Sequence, residues 1–404
     1  MLTPFGLLAQ SASDPGWPQW RGPQRDGNAA GPTWADSLRG LQLLWRVDLG
    51  PGYSGPIVTE QQVFVAETVG GKTESVRALN RQTGEQQWRV SWPGEGKVPF
   101  FARANGDWIR ATPAWDGENL YVGGMNEVLV KLDGATGREL WRVDFPRRFG
   151  TKVPDFGFAS SPLVDGEAVF VQAANSLVKL DRQTGKTLWR QLESDGAIAV
   201  SGAFSSPVLA ELSGRRQLVV QTRTTLYGLD PQSGTVLWSQ DVPGFRGMNI
   251  LTPSPYGDAI LTSSYRQKSF LFGIEPEGDG WRVSELWTNK AHAYMSSPAI
   301  IGDHAYLHLG NQRLTCLDLR TGESRWTSQP FGKYWSVAIQ GDRILALDAD
   351  GELHLLRANP ERLEILDSRQ VSNSPTWGHL AVADGEVFIR ELEAVAAYRW
   401  PAGN

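Results

Sequence analysis

Residues 181–189 read Asp181-Arg-Gln-Thr184-Gly185-Lys-Thr-Leu-Trp189, and the same phrase returns four more times along the chain. It occurs as Asn80-Arg-Gln-Thr83-Gly84-Glu-Gln-Gln-Trp88, Asp133-Gly-Ala-Thr136-Gly137-Arg-Glu-Leu-Trp141, Asp230-Pro-Gln-Ser233-Gly234-Thr-Val-Leu-Trp238 and Asp318-Leu-Arg-Thr321-Gly322-Glu-Ser-Arg-Trp326. An Asp or Asn side chain closes a turn on its own backbone, and Gly takes the positive-φ position that other residues resist. Apolar residues ahead of the phrase, such as Val178 and Leu180 or Tyr227 and Leu229, alternate with polar ones. The phrase therefore predicts a hairpin whose returning strand carries the Trp.

Degenerate copies end at Trp287 and Leu366, and a half-copy without a turn sits at Trp45. The eight positions recur every ~40–50 residues, the length of a four-stranded propeller blade. Each unit also carries an upstream small-residue–Pro step: Ser54-Gly-Pro56, Ala111-Thr-Pro113, Ser160-Ser-Pro162, Ser205-Ser-Pro207, Thr252-Pro-Ser-Pro255 and Ser296-Ser-Pro298. Small residues suit a crowded inner strand near an axis, and Pro suits its first position, where no ladder donor is lost. The last unit, Val387 to Tyr398, runs out before its outer strand, and the Trp45 strand can fill the vacancy. The expectation is an all-β chain: an eight-bladed β-propeller of four-stranded antiparallel blades over residues 41–404, with the last blade closed by the N-terminal strand. The repeat tryptophans are read as packing between blades, and the recurring Ser-Ser-Pro serines as architecture.

Composition narrows the function. The 404 residues carry 39 Lys+Arg against 44 Asp+Glu, a net charge of −5, which is too few cations for a nucleic-acid partner or an anionic membrane surface. No apolar run approaches the ~20 residues of a transmembrane span. The single cysteine, Cys316, permits no disulfide within the chain and no cysteine-based metal set. Residues 1–12, with the apolar stretch LTPFGLLAQSA, resemble the distal half of a secretory signal peptide, so a periplasmic or secreted location is expected. Residues 13–40 form an N-terminal lead segment.

The Asp-x-x-Thr-Gly-x-x-x-Trp phrase around eight blades resembles the PQQ-like, or quinoprotein alcohol dehydrogenase-like, β-propeller repeat. Residues Trp17-Pro-Gln-Trp-Arg-Gly-Pro-Gln-Arg-Asp-Gly27 look like the opening of secreted members of that group. The resemblance implies one of two functions. One branch, similar to the outer-membrane protein assembly lipoprotein, comprises scaffolds without a cofactor. The other comprises dehydrogenases that hold pyrroloquinoline quinone (PQQ) and calcium in the central funnel. The adjacent-cysteine disulfide of methanol dehydrogenase-like enzymes is absent here, since Cys316 is the only thiol. The reading is a secreted or periplasmic non-catalytic binding or assembly scaffold that needs no cofactor. The alternative is a PQQ- and Ca-dependent alcohol or polymer dehydrogenase.

A site is expected where the longest crossings between blades, Ser91–Arg110 and Phe145–Ala159, crown one mouth of the channel, because loops on a rigid scaffold commonly carry function. The candidate ligand-binding residues are Phe101, Arg103, Asn105, Trp108, Arg110, Asn249, Tyr294, Lys333, Trp335, Trp377 and His379, with Arg147, Arg148, Phe158 and Tyr334 beside them. Aromatic faces next to arginines suit a peptide, protein or carbohydrate partner, or equally a planar quinone. In the dehydrogenase alternative, Trp335 or Trp377 stacks the quinone and Arg103 or Arg110 pairs its carboxylates. No nucleophile elbow, phosphate loop or zinc-protease motif is present, so no catalytic residue is singled out. His304 and His308 share a strand face but lack a third ligand, and no metal site is expected.

Overall fold

The computed structural model describes residues 16–100, 102, 106–195, 197 and 201–400. The signal-like residues 1–12 lie outside them, as do the candidates Phe101, Arg103 and Asn105. Among these residues, thirty-two strands, numbered in chain order, form eight four-stranded antiparallel sheets around an axis. The first blade is β2 (Ile57–Val58), β3 (Gln62–Val69), β4 (Thr73–Asn80) and β5 (Gln86–Pro93), from inside outward. The eighth consists of β30 (Ala381–Ala383), β31 (Glu386–Glu391) and β32 (Ala394–Arg399), completed by β1 (Gln42–Asp48). In that closure Arg46 pairs with Ala396 and Asp48 with Ala394, so the chain ends are joined by ladder hydrogen bonds and the ring has no seam edge.

All eight marker positions from Trp45 to Leu366 fall on outer strands. The turn glycine of each phrase supplies the surface on which the preceding blade's indole rests. Gly137, at φ +73°, carries Trp88, and Gly185, at φ +67°, carries Trp141. Each indole then donates its N–H to a carbonyl of the same turn: Trp88 to Gly134 at 2.9 Å, Trp141 to Arg182 at 3.1 Å and Trp189 to Gln232 at 3.0 Å. Trp287 and Trp326 repeat the pattern with Leu319 and Asn359. The phrase is thus one half of an inter-blade joint as well as a hairpin.

Trp238 departs from this rule. The next blade's hairpin, between β20 (Ser269–Glu277) and β21 (Gly280–Asn289), lacks the phrase. With no turn carbonyl to reach, Trp238 donates inward to Gln217 Oε1 at 2.6 Å. Cores form between sheets from residues of both neighbours, as where Phe64 of the first blade meets Trp88 and Trp115.

The lead segment threads under the hub, and residues 17–28 reach every blade. Trp17 bridges Val58 of the first and Asn28 bridges Ile339 of the seventh. Trp115 of the second donates to Pro18 O at 2.8 Å. Arg25 donates to Ser161 O and Pro162 O of the third and to Pro207 O of the fourth, the last at 2.8 Å. Trp20 reaches Thr252 Oγ1 of the fifth at 3.0 Å, Arg21 reaches Pro298 O of the sixth at 2.6 Å, and Trp17 stacks on His379 of the eighth. The small-residue–Pro steps therefore lead into inner strands as expected, and their carbonyls also serve as acceptors for this plug.

One crossing differs from its expectation. Residues 145–159 open with a short helix, α1 (Phe145–Phe149), capped by Asp144 and ended by Gly150 in the left-handed region. It packs on the neighbouring outer strand β13 (Thr187–Gln191), with Arg148 donating to Gly185 O and Arg190 lying over Phe149.

Candidate functional site: a blind-ended aromatic funnel

In such a blade the crossings from one outer strand to the next inner strand all emerge on one face. Here all eight crossings supply lining residues to a single central cavity of about 240 Å³. The lead segment closes its other end, with Trp20 as the floor residue beside His379, ring centres 4.9 Å apart.

An aromatic arc forms one side of the mouth. Tyr53 stacks on Trp377 at 4.9 Å, Trp377 meets Tyr334 edge-on at 4.6 Å, and Tyr334 leans on Tyr294 at 5.7 Å. Opposing Phe156 and Phe204 meet edge-on at 5.4 Å. Arg110 is the only Lys or Arg among the described lining residues, and none of those residues is Asp or Glu. Its Nη2 donates to Gly106 O at 3.0 Å, and burial holds its guanidinium below the usual arginine value. Burial pushes the Tyr53 phenol up to about 12 despite the opposing pull of Arg110.

Of the residues expected at the site, Arg110, Tyr294, Trp335, Trp377, His379 and Tyr334 line the cavity. Asn249 does not. It is 1% exposed, and its Nδ2 donates to Arg223 O and Val242 O, which ties its crossing down. Lys333 is exposed and Trp108 packs edge-on against Tyr53; neither lines the funnel. Trp335 borders the cavity at 2% exposure, its ring held against His308 and His354, so it offers no free face for stacking. Burial drives the His379 imidazole down to about 3, so it is neutral packing in the floor. Phe158 is core, and Arg147 and Arg148 belong to α1.

Tyr53, Phe204, Met295 and Trp20 line the funnel without having been singled out. The first three had a legible signal: each immediately precedes a small-residue–Pro step, where the chain turns inward at the rim. Arg110 and Ala159 hold the same position. Trp20 had none, because nothing local says that the lead segment crosses the axis.

Bound calcium needs several converging oxygens, commonly carboxylates. The described lining offers serine hydroxyls and no carboxylate, so its donor set does not fit a calcium-held quinone. The single lining cation also matches poorly with a ligand carrying several carboxylates.

The fold and funnel define a closed eight-bladed propeller with one blind mouth. The chain belongs to the outer membrane protein assembly factor BamB family, whose family model matches residues 72–328. It is 26% identical over 380 residues to BamB of Xanthomonas campestris pv. campestris, covering 89% of this chain and 86% of that one. BamB of Yersinia pestis is 22% identical over 297 residues, covering 69% and 72%. The solved BamB of Moraxella catarrhalis superposes with a TM-score of 0.66 at 16% identity, over 89% of this chain and 99% of that one. A quinohemoprotein alcohol dehydrogenase from Comamonas testosteroni superposes at 0.56 and 14% identity, over 98% and 82%. Both structures share the propeller fold. Among the described residues, no helix is long and apolar enough to cross a membrane.

Proposed function

We propose that this chain is a non-catalytic scaffold for outer-membrane protein assembly, working in the periplasm and holding a polypeptide at its funnel mouth. The observation that carries the reading is the funnel itself: a rim drawn from all eight crossings and aromatic at six of them, a closed floor and, among the described lining residues, no carboxylate for a metal-held cofactor. Family membership supports the assembly role. Half-buried Tyr53, Tyr294 and Trp377 provide flat apolar area with little rotamer entropy to lose on binding, which suits apolar side chains of an extended partner.

The test uses the purified chain and an unfolded outer-membrane β-barrel polypeptide as probe. Tyr294→Ala and Trp377→Ala should each weaken binding by at least ~10-fold, as expected for truncating a buried aromatic anchor. Leu188→Ala on an exposed blade edge should leave it unchanged. Quenching of tryptophan fluorescence by PQQ with Ca²⁺, accompanied by dye-linked alcohol oxidation, would instead establish the dehydrogenase alternative.

A further inference from the structure

The seventh blade's hairpin joins β27 (Arg343–Leu347) to β28 (Glu352–Arg357) through Asp348–Gly351. Glu352 and His354 are two apart on β28 and share a face. The turn folds Asp348 back onto that face. Asp348 Oδ1 accepts the backbone N–H groups of Asp350 and Glu352, each at 2.9 Å, which leaves Oδ2 aimed at the histidine. Room for Oδ2 comes from Gly332, at φ +58°, where a Cβ would collide with it.

His354 is held as metal-binding imidazoles commonly are. Its Nδ1 is 2.8 Å from Ser368 Oγ and its ring stacks on Trp335, so orientation is set by a second layer of partners. Its side chain is 5% exposed, yet Nε2 has no hydrogen-bond partner among the described residues. That nitrogen lies 3.7 Å from Asp348 Oδ2 and 3.9 Å from Glu352 Oε2, and the three donor atoms fall within 4.8 Å of one another. These separations are too long for hydrogen bonds. They are close to the ~3.4 Å between ligand atoms in a tetrahedral site with bonds of about 2.0–2.2 Å.

We propose that Asp348, Glu352 and His354 bind a divalent transition metal of the zinc class, with one imidazole and two carboxylate ligands. The Glu352 side chain, 44% exposed, provides the entry path and leaves the fourth position to water. The site stands beside the funnel rim. Ala349 N donates to Lys333 O at 2.7 Å, Thr376 N donates to Ala349 O at 3.1 Å, and Thr376 Oγ1 donates to Asp348 O. The residues that follow Lys333 and Thr376 are Tyr334 and Trp377, two members of the aromatic arc. A bound cation would stiffen the hairpin that braces them. The proposal is independent of the scaffold reading.

The test titrates chelator-treated full-length protein with Zn²⁺ by calorimetry and with Co²⁺ by visible absorption. One saturable equivalent is expected, with a tetrahedral-type Co²⁺ band and quenching of tryptophan fluorescence through Trp335. His354→Gln and Glu352→Gln should each weaken Zn²⁺ binding by at least ~10-fold, the scale of losing one element of a metal site. Glu352 is partly exposed, so its variant keeps the test valid should the buried substitution fail to fold. No Zn²⁺ binding below about 1 mM, a level equivalent to only ~4 kcal/mol, would overturn the proposal. So would equal affinity in Glu352→Gln, which would place the cation elsewhere, for instance at His292 or His304.

Discussion

The indole of Trp45 lies on Gly84, and its Nε1 donates to Arg81 O at 2.8 Å, joining the strand that closes the eighth blade to the hairpin turn of the first. Arg81 ties the same two blades a second time, with Nε on Glu386 at 2.8 Å and Nη2 on Ala383 O at 2.9 Å. The joint that repeats around the ring is therefore also the clasp that shuts it.

Gly84 sits at φ +74°, and a Cβ there would come within 2.8 Å of the Trp45 ring. Gly84→Ala should lose about 1–3 kcal/mol through backbone strain alone, with further loss as the indole is displaced. Trp45→Ala should lose about 3–5 kcal/mol. Urea unfolding of both variants checks this, and wild-type midpoints would refute the clasp.

Arg25 stands at φ +60° with its guanidinium under the hub, where burial lowers it to about 9. Arg25→Leu orphans carbonyls of Ser161, Pro162 and Pro207, each worth ~1–3 kcal/mol when buried unpaired. Protease should then cut within residues 16–28 of the variant and spare the wild type. Arg25→Lys should not restore protection, because an ammonium cannot reproduce the planar fork.

Glu127 is buried, its carboxylate accepts the Ala174 N–H at 3.0 Å, and desolvation raises it to about 8. Its folded value exceeds its unfolded one, so folding takes up a proton between pH ~4.5 and ~8. This group's effect is to lower stability as pH rises through that window, by on the order of 1 kcal/mol per unit. Glu127→Gln should be the more stable protein at pH 7.5 and should show a flatter pH profile in denaturant melts. A profile identical to wild type would mean that Glu127 ionises freely.

Gln217 is the acceptor of the one repeat tryptophan without a neighbouring turn carbonyl. Gln217→Leu should destabilise by about 1–3 kcal/mol by leaving the indole N–H unpaired. Adding Trp238→Phe should recover part of that loss, a coupling that a double-mutant cycle measures directly.

Blade number, outer strands and ring closure were legible because each rests on local chemistry repeated five times in full and three times in part: an Asx turn, a positive-φ glycine and a tryptophan at fixed offset. A single copy would be ambiguous; the period is what makes the pattern decisive. The rim was half legible. Tyr294, Trp377 and Arg110 were found by residue type, whereas Asn249 and Lys333 were named by the same criterion and lie off the funnel. Residue type does not encode whether a side chain turns inward or ties down its own loop. His304 and His308 drew notice by spacing, while Asp348, Glu352 and His354 converge only once the hairpin closes.

The amino-acid order by itself determined an all-β ring of eight four-stranded blades closed by its own N-terminal strand, since each turn signal acts over fewer than about ten residues and the signals recur at blade-length spacing. Only the tertiary structure decided that residues 17–28 cross the axis and touch all eight blades, making a channel into a pocket with one mouth. That outcome depends on carbonyls from distant blades converging where two arginines can reach them, a long-range geometry that no local pattern carries.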